Sequence, residues 1–339
     1  MPRNKISLIF SIFFLTAIAI AVSLSLNSDR QVLQTVSTAS LIAPLAEKTK
    51  SPSVQILFVG DIMLDRGIRY YSQKAAEDRA NDFVFEKIHG KLLENNLVVG
   101  NLEGPITNNS SVSITAETET PNSFFFTFDP SWAKTLFDNK IRLVNLGNNH
   151  ILNFGAAGLA ETKNHLDKAG VDYFGAPDYP KNIATEINGV KITFINYNEF
   201  SAYAEIEESS VIEEIKKTSL RRAESKTDII IVYTHWGAEY MPEPAPEIKK
   251  LARAFIDAGA DLIIGSHPHV IQPIEIYKGK RIYYSLGNFI FDQYFSEETK
   301  MGLGVVLKIE KTSGGKNLKL EFEEINFYMQ ENSQTVISE

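Results

Sequence analysis

From Val54 onward the chain keeps returning to one pattern, a short apolar run that stops abruptly at small or polar residues. The runs are "VQILFVGD", "LVVGNLE", "IRLVNLGNNH", "VKITFINYN", "DIIIVYTHWG", "ADLIIGSHPH" and "RIYYSLGNFIF". Each predicts a buried strand. Between several of them lie segments whose apolar residues fall three or four apart and which end near Gly or Asn: "FVFEKIHGKLLENN", "GAAGLAETKNHLDKAG" and "APEIKKLARAFIDAGA". These predict helices, and strands alternating with helices mean an α/β domain. The last runs, "GLGVVLKIEK" and "NLKLEFEEINFYMQ", alternate in polarity around "TSGGKN" and predict an antiparallel hairpin that closes the domain near residue 330. The chain shows no internal repeat, and no domain break falls between 54 and 330.

The N-terminus differs. After Arg3 and Lys5 no charge occurs from Ile6 to Ser28, a run long enough to cross a bilayer as a helix. A cleavable signal peptide has a shorter apolar core, of roughly 7 to 15 residues, so residues 1–28 are expected to be an uncleaved signal anchor. Ala17, Ala19 and Ala21 keep cleavage, and hence secretion, as the alternative. The two basic residues place the following chain outside the cell membrane, as an extracytoplasmic domain. Residues 29–53, rich in Ser, Thr, Ala and Lys, predict a linker with a short helix near Leu41 to Lys48.

Composition narrows the chemistry. Of the 339 residues 44% are hydrophobic, ample for a large core, and the net charge of -8 argues against a nucleic-acid binder. There is no cysteine, which excludes disulfides, thiolate metal sites and cysteine nucleophiles. Any metal must therefore sit among His, Asp, Glu and Asn.

Those residue types recur at the ends of the predicted strands: Asp61, Glu103, Asn149 with His150, His235, and His267 with His269. In α/β sheets ligands bind beyond the carboxyl ends of strands. Singly, Asp61 could cap the next segment, Glu103 could be a loop acid, Asn149 part of a turn and His235 a packed histidine. Their recurrence at five strand ends favours one converging cluster. His89 and His165 fall inside helical patterns and are expected to pack or face solvent. Carboxylates, imidazoles and an amide without sulfur suit one or two divalent ions, Mn, Fe, Zn or Mg. Two such ions roughly 3.5 to 4 Å apart, bridged by a carboxylate, polarise phosphoryl oxygens and activate water for phosphate-ester hydrolysis. Arg66 is suited to grip a phosphate or carboxylate bidentately, a surface arginine being the alternative.

The ordered set "GDIMLDR", "NLEGPI", "LGNNH", "HWG", "GSHPHVIQPIE" and "YSLGNFIFDQ" resembles the bacterial capsule-synthesis CapA family, whose poly-γ-glutamate cap domain belongs to the calcineurin-like metallophosphoesterase superfamily. The likeness spans roughly Val54 to Asp292. It implies a four-layer αββα sandwich with a site at the strand ends, and association with machinery that makes or exports poly-γ-glutamate. It implies Asp61, Glu103, Asn149, His235, His267 and His269 as metal ligands, with Glu103 bridging and His150 as the histidine that protonates a leaving group. The chain departs from the superfamily pattern at Met63 in place of a histidine, at Glu103 in place of an aspartate, and at Ile106 and Ile151 in place of acids. Catalysis and metal binding without turnover are both compatible with these residues. Three functions follow from the resemblance and the ligand set: an anchored accessory protein for capsule polymer synthesis or export, a metal-dependent phosphoesterase acting on an envelope phosphate ester, and a non-catalytic polyanion-binding module.

Other segments carry less. Residues 108 to 126 read as a surface loop rejoining the core, with a lid over the site as the alternative, and "AEYMPEPAPEIKK" reads as an extended loop that could rim the cleft. "EIEESSVIEEIKKTSLRRAESK" predicts a charged amphipathic helix, and Asp292 receives no role.

Overall fold

Strands that are apolar on both faces need cover on both sides. The computed structural model describes residues 53–75, 81–113, 124–178, 181–201, 204–225, 227–312 and 317–338. The expected anchor, the linker up to residue 52 and the short helix near Leu41 to Lys48 lie outside them. Among the described residues no helix is long and apolar enough to cross a membrane.

Two sheets form. The first runs β14-β13-β12-β1-β2-β3-β4, with β11 also paired to β1. Its strands are β1 (Ser53–Ile62), β2 (Leu97–Leu102), β3 (Ile141–Asn145), β4 (Asp172–Phe174), β11 (Asn288–Ile290), β12 (Met301–Lys311), β13 (Leu318–Met329) and β14 (Thr335–Ser338). The second runs β5-β6-β7-β8-β10-β9. It comprises β5 (Asn182–Ile187), β6 (Val190–Asn198), β7 (Ile229–His235), β8 (Leu262–Ser266), β9 (Ile274–Tyr277) and β10 (Lys280–Tyr283). Strands β1 to β4 are mutually parallel, as are β6, β7, β8 and β10.

The strand period of two divides each run between two cores. Ile56 and Phe58 of β1 and Ile229, Ile231 and Tyr233 of β7 meet between the sheets. Leu57 and Val59 face the other way, onto α1 (Arg66–Lys74), α2 (Asp82–Phe85), α3 (His89–Leu93), α4 (Ser131–Asp138) and α5 (Gly155–Ala169). Ile230 and Val232 face α6 (Ala204–Leu220) and α7 (Pro246–Ala258). The result is the four-layer α/β/β/α order expected from the sequence. The helix expected to be charged and amphipathic, α6, buries Val211 and Ile215 against the second sheet.

Besides the unexpected short strands β4, β5 and β9, three elements differ from expectation. "RIYYSLGNFIF" is two strands, with Tyr283 ending β10 in one sheet and Asn288 opening β11 in the other. The crossing turns on Gly287, at φ 66°, whose carbonyl would lie 1.8 Å from a Cβ on Gly60, so only glycine at 60 lets the two chains approach. "FVFEKIHGKLLENN" forms the two short helices α2 and α3 rather than one, with the low helix propensity of Gly90 inside the second. Finally, β14 adds a third strand beyond the expected hairpin.

Candidate metal centre

The parallel strands deliver their carboxyl ends, and the predicted donors with them, to one place. Asp61 closes β1, Glu103 follows β2 and Asn149 lies four residues past β3, while His235 closes β7 and His267 and His269 follow β8. Ligand atoms of Asp61, Glu103 and His269 lie within 4.8 Å of one another, and so do those of Glu103, His235 and His267. Glu103 belongs to both groups. Asn149 joins through its Oδ1, 3.0 Å from His235 Nε2. All six donors are thus brought together, and Glu103 stands where a bridging carboxylate would.

The two imidazoles of "GSHPH" converge because the backbone there is left-handed, with φ 97° at His267 and 59° at His269. Such conformations cost non-glycine residues about 1 to 3 kcal/mol each and persist only where the surroundings over-determine them. Here the His267 N–H donates to Asp61 Oδ2 at 3.1 Å. The His269 ring is oriented by Asn288, whose Oδ1 lies 2.9 Å from Nδ1 while its amide donates to Gln293 Oε1 and the Thr299 carbonyl. That places the proton on Nδ1 and leaves Nε2 facing Glu103 Oε1 at 3.5 Å. His235 is set in the same way: Ser266 Oγ, which donates to the Thr234 carbonyl, lies 3.1 Å from its Nδ1.

Electrostatics bear on what the cluster can hold. Burial, then the charge of Asp61, pushes the Glu103 carboxyl well above its usual range. Burial also raises Asp61, but His269, Asn101 and the His267 N–H outweigh it and the net shift is downward. Burial and the neighbouring imidazoles lower His235 strongly and His267 to about 3, so both are neutral. Glu103 Oε1 and His267 Nδ1 are buried without a hydrogen-bond partner. Leaving such atoms unpaired costs roughly 1 to 3 kcal/mol each. Crowded carboxylates, neutral imidazoles and two buried atoms with unpaired lone pairs fit a divalent cation.

His150 and Arg66 reach the same place through aromatic rings. Phe126 packs against His150 at 4.5 Å and under the Arg66 guanidinium at 5.0 Å; Phe291 packs against His269 at 4.9 Å and under Arg66 at 5.5 Å. Burial lowers His150 to about 4. Its Nδ1 lies 3.2 Å from Asn153 Oδ1, so an amide orients it. Arg66 is no surface arginine: it is buried and ion-paired with Asp292, whose other oxygen accepts the Gly67 N–H at 2.8 Å. The residue without a role in the sequence reading is therefore the carboxylate that Arg66 meets. Met63 is fully buried in the core, its sulfur accepting the Asp65 N–H at 3.1 Å, and supplies no ligand. Ile106 and Ile151 are likewise buried. His89 and His165 stand apart from the cluster, His89 bonding Asn139 at 2.8 Å.

The sequence reading missed a chain of buried asparagines beneath the donors. Asn101 donates to Asp61 Oδ1 at 2.8 Å and Glu103 Oε2 at 3.3 Å, and accepts from Asn145 at 3.0 Å and Asn148 at 3.1 Å. Asn196 of the second sheet donates to Asn145 at 2.8 Å. One signal was available: Asn101 and Glu103, two residues apart, share a strand face.

A two-sheet α/β sandwich with a carboxylate, amide and imidazole cluster at the strand ends is the class that fold and site define. The model of the family described as bacterial capsule synthesis protein PGA_cap matches residues 55–293, and the chain belongs to that family. Among curated relatives, the PGA biosynthesis protein CapA of Bacillus subtilis (strain 168) is 34% identical over 260 residues, 73% of this chain and 66% of that protein. The capsule biosynthesis protein CapA of Bacillus anthracis is 30% identical over 275 residues, 74% of this chain and 63% of that protein. The chain thus covers just under two thirds of each relative's length. Among solved structures, a hypothetical protein from Thermus thermophilus aligns with 80% of this chain and 99% of its own at TM-score 0.48 and 16% identity. Haemophilus influenzae NAD nucleotidase aligns with 86% of this chain and 60% of its own at TM-score 0.44 and 11% identity.

Proposed function

We propose that this chain is a membrane-anchored, extracytoplasmic accessory protein for the synthesis or export of a capsule polymer, poly-γ-glutamate or a related anionic polymer, built around a metallophosphoesterase-like metal centre. Residues 1–28 anchor it, 29–53 tether it, and 54–330 form its CapA-type domain. The observation that carries the reading is the family match over residues 55–293, which encloses every candidate ligand from Asp61 to His269. One ion would be held by Asp61, Glu103 and His269, a second by Glu103, Asn149, His235 and His267; oxygen and nitrogen donors suit Mn, Fe, Zn or Mg. When bound, such ions polarise a phosphoryl or carbonyl oxygen. Arg66, held by Asp292, supplies a fixed positive charge beside them. Deleting the gene and staining for surface polymer tests the reading. Polymer is expected to disappear, to return with the parent gene and to stay absent with His267→Ala. Unchanged polymer on deletion would refute it.

The convergence of His150 and Arg66 on the cluster supports a second reading, a metal-dependent phosphoesterase acting on an envelope phosphate ester. Burial holds His150 near 4 and neutral at pH 7, and the charge of a phosphate beside it would raise that value toward proton donation. In this reading His150→Ala lowers hydrolysis of aryl phosphates with Mn²⁺ by about 10²- to 10⁴-fold. Rates unaffected by that substitution dispose of it.

A further inference from the structure

The ion assigned to Asp61, Glu103 and His269 has only three protein donors. Zinc takes at least four ligands and magnesium or calcium six or more. Met63, just past the end of β1, is turned into the core. Water can fill the remaining positions of such a shell, and so can a further side chain from outside the five strand ends.

The loop after β7 provides one. Gly237, at φ 84°, turns the chain back, and its N–H donates to Glu199 at 2.6 Å. Tyr240, also left-handed at φ 62°, donates its N–H to the Pro268 carbonyl at 2.8 Å, which pins the loop across the double-histidine turn. Between those two anchors sits Glu239. A carboxylate oxygen of Glu239 and ring nitrogens of His267 and His269 all lie within 4.8 Å of one another. Independently, His267 Nδ1 is buried, with His267 itself only 3% exposed, and has no hydrogen-bond partner. The Glu239 charge also bears on Glu103, and the Tyr240 hydroxyl, which accepts from Gln293 at 3.0 Å, bonds Glu239. The Glu239 charge adds to the repulsion that Glu103 already feels from Asp61, and a cation among them would relieve it. An exposed glutamate with no ligand role has the whole of the solvent to turn towards, and this one is held over the cluster.

Resting on the metal-centre reading above, the geometry points to Glu239 as a metal ligand, the loop carboxylate that completes the shell of the ion held by Asp61, Glu103 and His269. The two ions then differ in kind. One has three carboxylates and one imidazole, a set for Mn or Mg; the other has one carboxylate, one amide and two imidazoles, a set nearer Zn or Fe.

Calorimetric titration of the purified full-length chain with Mn²⁺ tests this. Glu239 is exposed, so Glu239→Gln leaves the core intact, and a thermal melt in chelator checks the fold. The parent is expected to take up two ions. Glu239→Gln should weaken one of them by at least the roughly 10- to 100-fold that even hydrogen-bond partners of ligands contribute. In a His235→Ala background, where the ion of Asp61 and His269 remains, adding Glu239→Gln should weaken what is left. In an Asp61→Asn background it should change nothing. Binding by Glu239→Gln indistinguishable from the parent, or an effect confined to the Asp61→Asn background, overturns the assignment of Glu239 and leaves the metal centre standing. A parent that takes up no Mn²⁺ overturns both.

Discussion

The two sheets bring different chemistry to their shared end. The first contributes oxygen, from Asp61, Glu103 and Asn149; the second contributes nitrogen, from His235, His267 and His269. Their supports differ too. The oxygens rest on the buried asparagines 101, 145 and 148, whereas two of the three imidazoles depend on a left-handed turn. Neither sheet alone holds a complete ligand set, so a metal ion held there reports on the packing of one sheet against the other.

The comparison can be broken most severely between the sheets. Phe58 of the first packs on Phe194 of the second, ring centroids 6.4 Å apart, and both are fully buried. Phe58→Ala is expected to cost about 3 to 5 kcal/mol in denaturant unfolding and to weaken Mn²⁺ uptake without touching a ligand. A similar loss, about 3 to 5 kcal/mol, is expected from Asp292→Ala, which strands the buried Arg66 guanidinium. Next come the ions themselves: Mn²⁺ at 100 times its dissociation constant should stabilise the parent by about 2.7 kcal/mol per site in a melt, and His267→Ala should lose the share of the site that includes His267. Asn101→Ala, which unties the amide link between Asp61 and Glu103, should cost about 1 to 3 kcal/mol and loosen the oxygen donors before the imidazoles. Smallest is Lys134→Ala, an exposed partner of Asp138 on α4, which should shift stability by no more than about 0.5 kcal/mol and leave metal uptake unchanged. Together these separate loss of a donor from loss of the frame that aligns the donors.

The same contrast explains what could be read from the sequence. Strands buried on both faces announce themselves as short unbroken apolar runs, and a ligand-type residue at the end of each run marks the site; Asp61, Glu103 and His235 were legible in this way. Two left-handed histidines were legible only as a residue pair, since sequence carries no dihedral angle. The division of "RIYYSLGNFIF" between the sheets was hidden because both halves are equally apolar and only Gly287 marks the crossing. Arg66 and Asp292 lie 226 positions apart, and no local pattern links them. In the sequence Asn101 is one more polar residue in a strand, and Glu239 one charge in a proline-rich loop.

Anomalous X-ray scattering from crystals of the full chain grown with Mn²⁺ would test the central claim most directly. The account predicts manganese density enclosed by Asp61, Glu103, Asn149, His235, His267 and His269, with donors from both sheets around it. Anomalous density confined to other parts of the molecule, or none at all at saturating Mn²⁺, would contradict it.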